Sequence, residues 1–186
     1  MRKRAGTHVR RRGITGHTLV ELTVALAVFA IGSGGMILCH LGAQGLSEAN
    51  RETEIAVNAA LSAVHEVRSV PFAEAFARFN ATAADDVPGD CPGSSFAVAG
   101  LEPIAGDADG LAGAIRFPGD GVVLSELVDD EALGMPRDLS GDGAPDAADH
   151  AGDYVVLPFA VRVEWTGSSG KRSLEIVSTL AREKAP

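Results

Sequence analysis

From Leu22 to Ser47 the chain contains no Asp, Glu, Lys or Arg, and the stretch from Thr18 to Leu41 is almost wholly apolar. About 20 such residues are enough to cross a bilayer as a helix. An amphipathic pattern then takes over. Leu46, Ala49, Thr53, Ala56, Ala60, Val64 and Val67 follow one another mostly at steps of three or four, which is helical spacing. Glu48, Arg51, Glu52, Glu54, Glu66 and Arg68 fill the other faces. Pro71 stops the pattern, because the residue before a proline avoids the helical region. The sequence therefore predicts one helix over 17–70, with a membrane segment at about 18–41. At ~1.5 Å per residue it would be close to 80 Å long. Gly32-Ser33-Gly34-Gly35 interrupts the apolar half, and each Gly lowers helix propensity by ~1 kcal/mol. Such a cluster serves either close helix packing in lipid or a soft point in the helix, and both readings stay open.

Past Pro71 the pattern shortens. Phe72 to Phe79 reads as one or two helical turns, and a linker rich in Ala, Asp, Pro and Gly runs to about Gly93. Ser95–Leu101, Ala114–Phe117 and Val122–Leu127 are candidate strands separated by Gly and Asp clusters. The clearest β signal is a hairpin at about 154–181. Val155, Leu157, Phe159, Val161, Val163 and Trp165 alternate with Val156, Pro158, Ala160, Arg162 and Glu164. After a turn at 166–171, Leu174, Ile176 and Leu180 alternate with Glu175, Val177 and Thr179. Pro158 lacks a donor and calls for an edge or a bulge, and Trp165 is expected to anchor the core or its rim. The apolar face of the hairpin should lie on the amphipathic half of the helix. The fold class is α+β: a long N-terminal helix on a small antiparallel sheet, with residues 71–186 forming a head large enough for one modest core.

Charge changes the picture at the N-terminus. Arg2, Lys3, Arg4, Arg10, Arg11 and Arg12 precede Gly16 with no acid among them, which is a positive-inside flank. One carboxylate, Glu21, stands near the start of the apolar run, where an ionisable group costs roughly 2.5–3.5 kcal/mol on insertion scales and is kept for a function. A basic leader, Gly16, and then His17-Thr18-Leu19-Val20-Glu21-Leu22 opening a long apolar helix resembles the class III signal of type IV pilins and pseudopilins. The resemblance covers about 25 residues. It implies a pilin-like fold and cleavage by the prepilin peptidase between Gly16 and His17, so that 1–16 is the leader. It also implies methylation of the new amine, although His17 stands where the family has Phe or another large apolar residue. Glu21 becomes the fifth mature residue, which in the family is thought to neutralise a neighbouring subunit's amine during assembly. The implied partners are other pilin subunits, the peptidase/N-methyltransferase and inner-membrane lipid. The implied location is the bacterial inner membrane, head in the periplasm, and then a type IV pilus or type II secretion pseudopilus.

Two alternatives stand beside this. An ordinary secretory signal could be cut at Ala25-Leu26-Ala27, but it leaves Glu21 without a role. A membrane-anchored calcium- or substrate-binding module outside any fibre would keep the anchor or lose it at such a site. Without residues 1–16 the net charge falls from −9 to −15, too acidic to suggest nucleic acid as a partner. Cys39 and Cys91 are read as unpaired. No nucleophile motif and no phosphate-binding Gly loop occurs, so no catalytic residue and no organic cofactor is expected. His150 is read as a surface residue.

One segment carries possible ligand chemistry. In Asp138-Leu139-Ser140-Gly141-Asp142-Gly143-Ala144-Pro145-Asp146-Ala147-Ala148-Asp149, side-chain oxygens fall at loop positions 1, 3, 5, 9 and 12, with Gly at 6. This is the EF-hand spacing, in which position 7 supplies a carbonyl, and it resembles the calcium loop of dockerin modules. The implied ligands are Asp138, Ser140, Asp142, Asp146 and Asp149 by side chain and Ala144 by its carbonyl. Ser140 is a weaker ligand than Asp or Asn, and no long flanking helices are evident. The alternative is a solvated acidic Gly-Asp loop.

Overall fold

The computed structural model describes residues 18–82, 93–107, 109–168 and 170–182. The chain divides into two compact units, residues 1–44 and 45–186, with the boundary inside the first helix.

Helix α1 (Leu19–Ser69) opens at Thr18, whose Oγ1 accepts the Glu21 N–H at 3.3 Å and whose carbonyl accepts the Leu22 N–H. Thr and Glu three residues apart are the sequence signature of a helix start. Among the described residues of the first unit nothing covers the helix: Leu19 is 78% exposed, Phe29 72% and Met36 77%. Its best window has a mean hydropathy of 2.2, which makes α1 long and apolar enough to cross a membrane. The Gly32–Gly35 run stays helical throughout. His40 and Gln44, one turn apart, are joined Nε2 to Nε2 at 3.1 Å.

In the second unit α1 turns a line of small residues inward. Ala56, Ala60, Ala63 and Val67 are buried, spaced four, three and four apart. Alanine is the best helix former and the shortest knob, so the sheet can lie close against it. The expected face is largely present, with Ala63 replacing the half-buried Val64 as the third contact. After Ser69 the chain makes a short 3-10 turn (Phe72–Glu74) and α2 (Ala75–Phe79), which bury Phe76 and Phe79.

The sheet is antiparallel with order β1-β2-β3-β4: β1 (Ser95–Phe96), β2 (Gly113–Arg116), β3 (Val156–Gly167) and β4 (Gly170–Ala181). Long β3 and β4 form the expected hairpin, in register from Val156↔Ala181 to Gly167↔Gly170. Leu157, Phe159, Val161, Val163 and Trp165 are all buried on one face, opposite Leu180, Ser178, Ile176, Leu174 and Arg172. Pro158 is tolerated because its nitrogen faces the β2 side of β3 beyond the end of the β2 ladder. The Glu164 N–H points to β2, donating to Ala112, and Pro158 lies an even number of residues away, so its nitrogen faces the same side. β2 has ended by then, at Arg116 opposite Ala160.

Two expected strands differ. Ser95–Leu101 is cut to Ser95–Phe96 because a turn follows: Leu101 donates to the Val98 carbonyl, and Gly100 has φ +87°. Val122–Leu127 is not a strand. Asp120 Oδ1 accepts from both Val122 and Val123 N–H and curls the backbone, leaving one isolated bridge, Gly119↔Leu124.

Glu52 fixes the turn end of the hairpin to the helix. Its Oε2 accepts the Trp165 indole N–H at 3.3 Å and its Oε1 accepts the Ser168 N–H at 3.1 Å. A Cβ at Gly167 would collide with that carboxylate, so a larger residue there would displace the Glu52 side chain. Arg172 reaches over the Trp165 ring to the Ala49 carbonyl, 3.1 Å away. At the other end Arg68 donates to Ser178 Oγ at 2.9 Å. Glu52→Ala should leave the buried Trp165 N–H without an acceptor and lower head stability by about 1–3 kcal/mol. Urea denaturation in detergent, read by the fluorescence of this single tryptophan, measures it. An unchanged midpoint contradicts the assigned role.

Candidate functional site

The chain has two places where charge is used against expectation: the start of α1 and the irregular region between β2 and β3. Gly16 and His17 lie outside the described residues, as does Cys91. Glu21 sits in the first turn of α1 on the apolar surface, where the positive end of the helix favours a carboxylate. Cys39 is exposed and free.

The second place is built around Glu126, a fully buried carboxylate at 0% exposure. Its Oε1 accepts the N–H groups of Leu139 (2.6 Å) and Ser140 (2.9 Å), and its Oε2 accepts that of Asp146 (3.0 Å). The Glu126 carbonyl accepts the Arg137 N–H. One side chain thus holds the acidic loop at three points. A buried carboxylate is tolerated only when its lone pairs are met, and here backbone donors meet most of them.

His150 completes the arrangement. It is 3% exposed, so the expectation of a surface histidine is corrected: Tyr154, Leu124 and Leu139 are buried in the same core, and the His150 N–H donates to the Leu124 carbonyl. Nδ1 lies 3.0 Å from Asp153 Oδ1, and Nε2 lies 3.1 Å from Asp146 Oδ1 and 3.5 Å from Glu126 Oε2. Burial alone would raise Glu126 above the usual carboxylate range. The N–H groups of Ser140, Asp146 and Leu139 together with the His150 charge outweigh it and hold the group below. Burial would likewise lower His150, but Asp146, Asp153 and Glu126 outweigh it and the imidazole is raised. The site favours positive charge at the imidazole.

The loop that Glu126 holds is the one with calcium-type spacing. Asp138 collects the N–H groups of Gly141 and Gly143 and the Ser140 hydroxyl, and the two N–H groups hold its carboxyl below the usual range. Gly141 and Gly143 have φ of +82° and +116°, so the sixth position makes the tight turn its spacing implies. Asp142 Oδ1 accepts from Ala144 N–H. Asp149 Oδ1 accepts from Leu124 and Ala151 and faces the 124 segment. Of the six residues singled out by spacing, only Asp146 joins a compact ligand group among the described residues. Its companions are Glu126 and His150, and one ligand atom from each lies within 4.8 Å of the others, close enough to hold a metal ion. The sequence offered a weak sign of this: His150 stands among Asp146, Asp149 and Asp153.

Residues 11–37 match the family model of the prokaryotic N-terminal methylation motif. The chain carries a type IV pilin-like precursor signal. The matched residues take in Arg11 and Arg12 of the basic flank, the Gly16-His17 junction, Glu21 and the apolar helix as far as Ile37. No curated protein and no solved structure matches the chain.

With divalent cations removed by a chelator, the pair Glu126–His150 sets a pH window. The contribution of Glu126 is present above its ordinary pKa of about 4.3 and is lost as pH falls through its lowered folded value. That of His150 is complete below about 6.5 and is lost as pH rises through its raised folded value. Urea midpoints should therefore be highest between these limits, and His150→Gln should remove the decline on the alkaline side. A variant that keeps that decline contradicts the assignment.

Proposed function

We propose that this protein is a structural subunit of the minor pilin or pseudopilin kind, made as an inner-membrane precursor and assembled into a type IV pilus or type II secretion pseudopilus. The observation that carries the reading is the methylation motif at 11–37 running directly into an apolar helix whose surface up to Gln44 is left exposed by the described residues. Such a helix is suited first to lipid and then to the core of a fibre. The antiparallel head resting on the later turns of α1 supports the same reading. On this reading the peptidase cuts between Gly16 and His17 and methylates the His17 amine. Glu21 then answers the amine of a neighbouring copy, two charges that would be costly alone in hydrocarbon. The role is mechanical, with no reaction at the head.

N-terminal sequencing of membrane-derived material should begin at His17, and Gly16→Ala should raise the precursor-to-mature ratio. Glu21→Ala should leave cleavage largely intact and impair incorporation into fibres. A different first residue overturns the processing, and normal incorporation of the Glu21 variant overturns charge pairing.

A calcium ion in the 138–149 loop is the second element of the proposal. The observations in its favour are the positive-φ turn at Gly143 and the fact that Asp142 and Asp149 spend only Oδ1 on backbone N–H groups. Calcium requires six to eight oxygens, for which Asp138, Ser140, Asp142, Asp146, Asp149 and the Ala144 carbonyl are the available set. Millimolar calcium should raise the melting temperature of the detergent-solubilised chain, and Asp142→Ala should abolish the gain. No stabilisation of the wild type means no site.

A further inference from the structure

His150 has a valence that neutral imidazole cannot fill. A neutral ring carries one N–H, yet both of its nitrogens face carboxylates: Nδ1 at 3.0 Å from Asp153, Nε2 at 3.1 Å from Asp146 and 3.5 Å from Glu126. If Nδ1–H donates to Asp153, the Nε2 lone pair is aimed at two carboxylate oxygens. Something positive has to stand between them, either a proton or a metal ion. The distances bear on which. A 3.5 Å separation is too long for an N–H···O hydrogen bond, so a proton on Nε2 serves Asp146 and leaves Glu126 Oε2 with the Asp146 N–H alone. In a tetrahedral zinc site with bonds of ~2.0–2.1 Å, neighbouring ligand atoms lie about 3.4 Å apart. The two observed separations bracket that value.

We propose that Glu126 Oε2, Asp146 Oδ1 and His150 Nε2 form a zinc site, with Asp153 as the positioning residue that fixes the imidazole from its far side. A carboxylate on the distal nitrogen of a ligating histidine sets its tautomer and increases its basicity. Glu126 Oε1 is committed to Leu139 and Ser140, while Oε2 has only the Asp146 N–H and a lone pair to spare. Two ligands are buried and Asp146 is half-exposed, so solvent reaches the site from one side and supplies the fourth ligand. A nitrogen donor in a three-ligand set selects a first-row ion over calcium, which takes oxygen ligands. The ion would join the 124–126 segment to the 146–150 segment and seal the irregular region of the head.

The test is zinc titration of the full chain in detergent after removal of metal by a chelator, with a chromophoric competitor to report affinity. One tight equivalent is expected. His150→Gln should lose it, and Asp146→Asn should do so from an exposed position if the buried variant fails to fold. Asp153→Asn should weaken zinc affinity about 10–100-fold, and its urea midpoint in chelator measures separately the ion pair with His150 that the same change removes. Asp142→Ala should leave zinc binding intact, which separates this site from the calcium reading. X-ray absorption should show nitrogen and oxygen at ~2.0–2.1 Å and no sulfur at ~2.3 Å. The proposal is overturned by no tight equivalent, by equal affinity in the His150 and Asp146 variants, or by sulfur ligation through Cys39 or Cys91.

Discussion

The apolar surface of α1 from Leu19 to Gln44 is left uncovered by the described residues, and that constraint governs the rest of the molecule. Large side chains such as Leu22, Val28, Ile31 and Leu38 stand mostly exposed. At about 25 cal/mol per Å2 such a surface is strongly driven out of water, so it requires lipid or other subunits. A single carboxylate at its start carries a cost that only a function justifies. The later turns of the same helix obey the opposite rule. From Ala56 on they have their own sheet to cover them, and the line of small residues is buried. One secondary structure thus serves two surroundings, and the sequence marks the change just past Ser47, where charge returns at Glu48.

The head solves a different problem. It is strongly acidic, with 25 Asp and Glu in the chain, and the region between β2 and β3 has little regular structure to hold it. Glu126 takes the place of a strand ladder there: backbone donors from 139, 140 and 146 converge on one carboxylate instead of on a neighbouring strand. Tyr154 does similar work at the start of β3, donating to the Phe72 carbonyl at 2.6 Å while its ring lies against Phe72. Buried polar groups with satisfied partners specify one arrangement of a loop that apolar packing alone would leave loose.

What was legible in the sequence had a period. The three- and four-residue steps of α1 and the strict alternation of Phe159, Val161, Val163 and Trp165 are repeated signals, so a single exception does not erase them. The 122–127 segment was misread because Val122, Val123, Leu124 and Leu127 suggest a strand, while Asp120 and two glycines of positive φ bend the backbone instead. Glu126 and His150 were missed for another reason. Neither residue's burial is written locally, since each is made tolerable by the other side of the loop. His150 looked like a surface histidine among acids, and those acids are what hold it inside. The spacing of the acidic loop was visible, but spacing does not say which way a carboxylate turns. Asp138 and Asp149 turn to backbone N–H groups, and Asp146 turns to the histidine.

These two halves of the protein share one electrostatic logic. Carboxylates are placed where water is scarce, and each is answered by a positive group of a particular reach. In the loop the answering groups are short-range: backbone N–H dipoles and the imidazole. At the start of α1 the carboxylate of Glu21 stands in the first turn of an apolar surface, where the positive end of the helix favours it. On the proposed reading, each copy in a fibre would offer both a carboxylate in the first turn and, after cleavage, an amine a few residues earlier. A charge that is costly in isolation would then set register, because its cost would be relieved only when neighbouring helices stand at the right height.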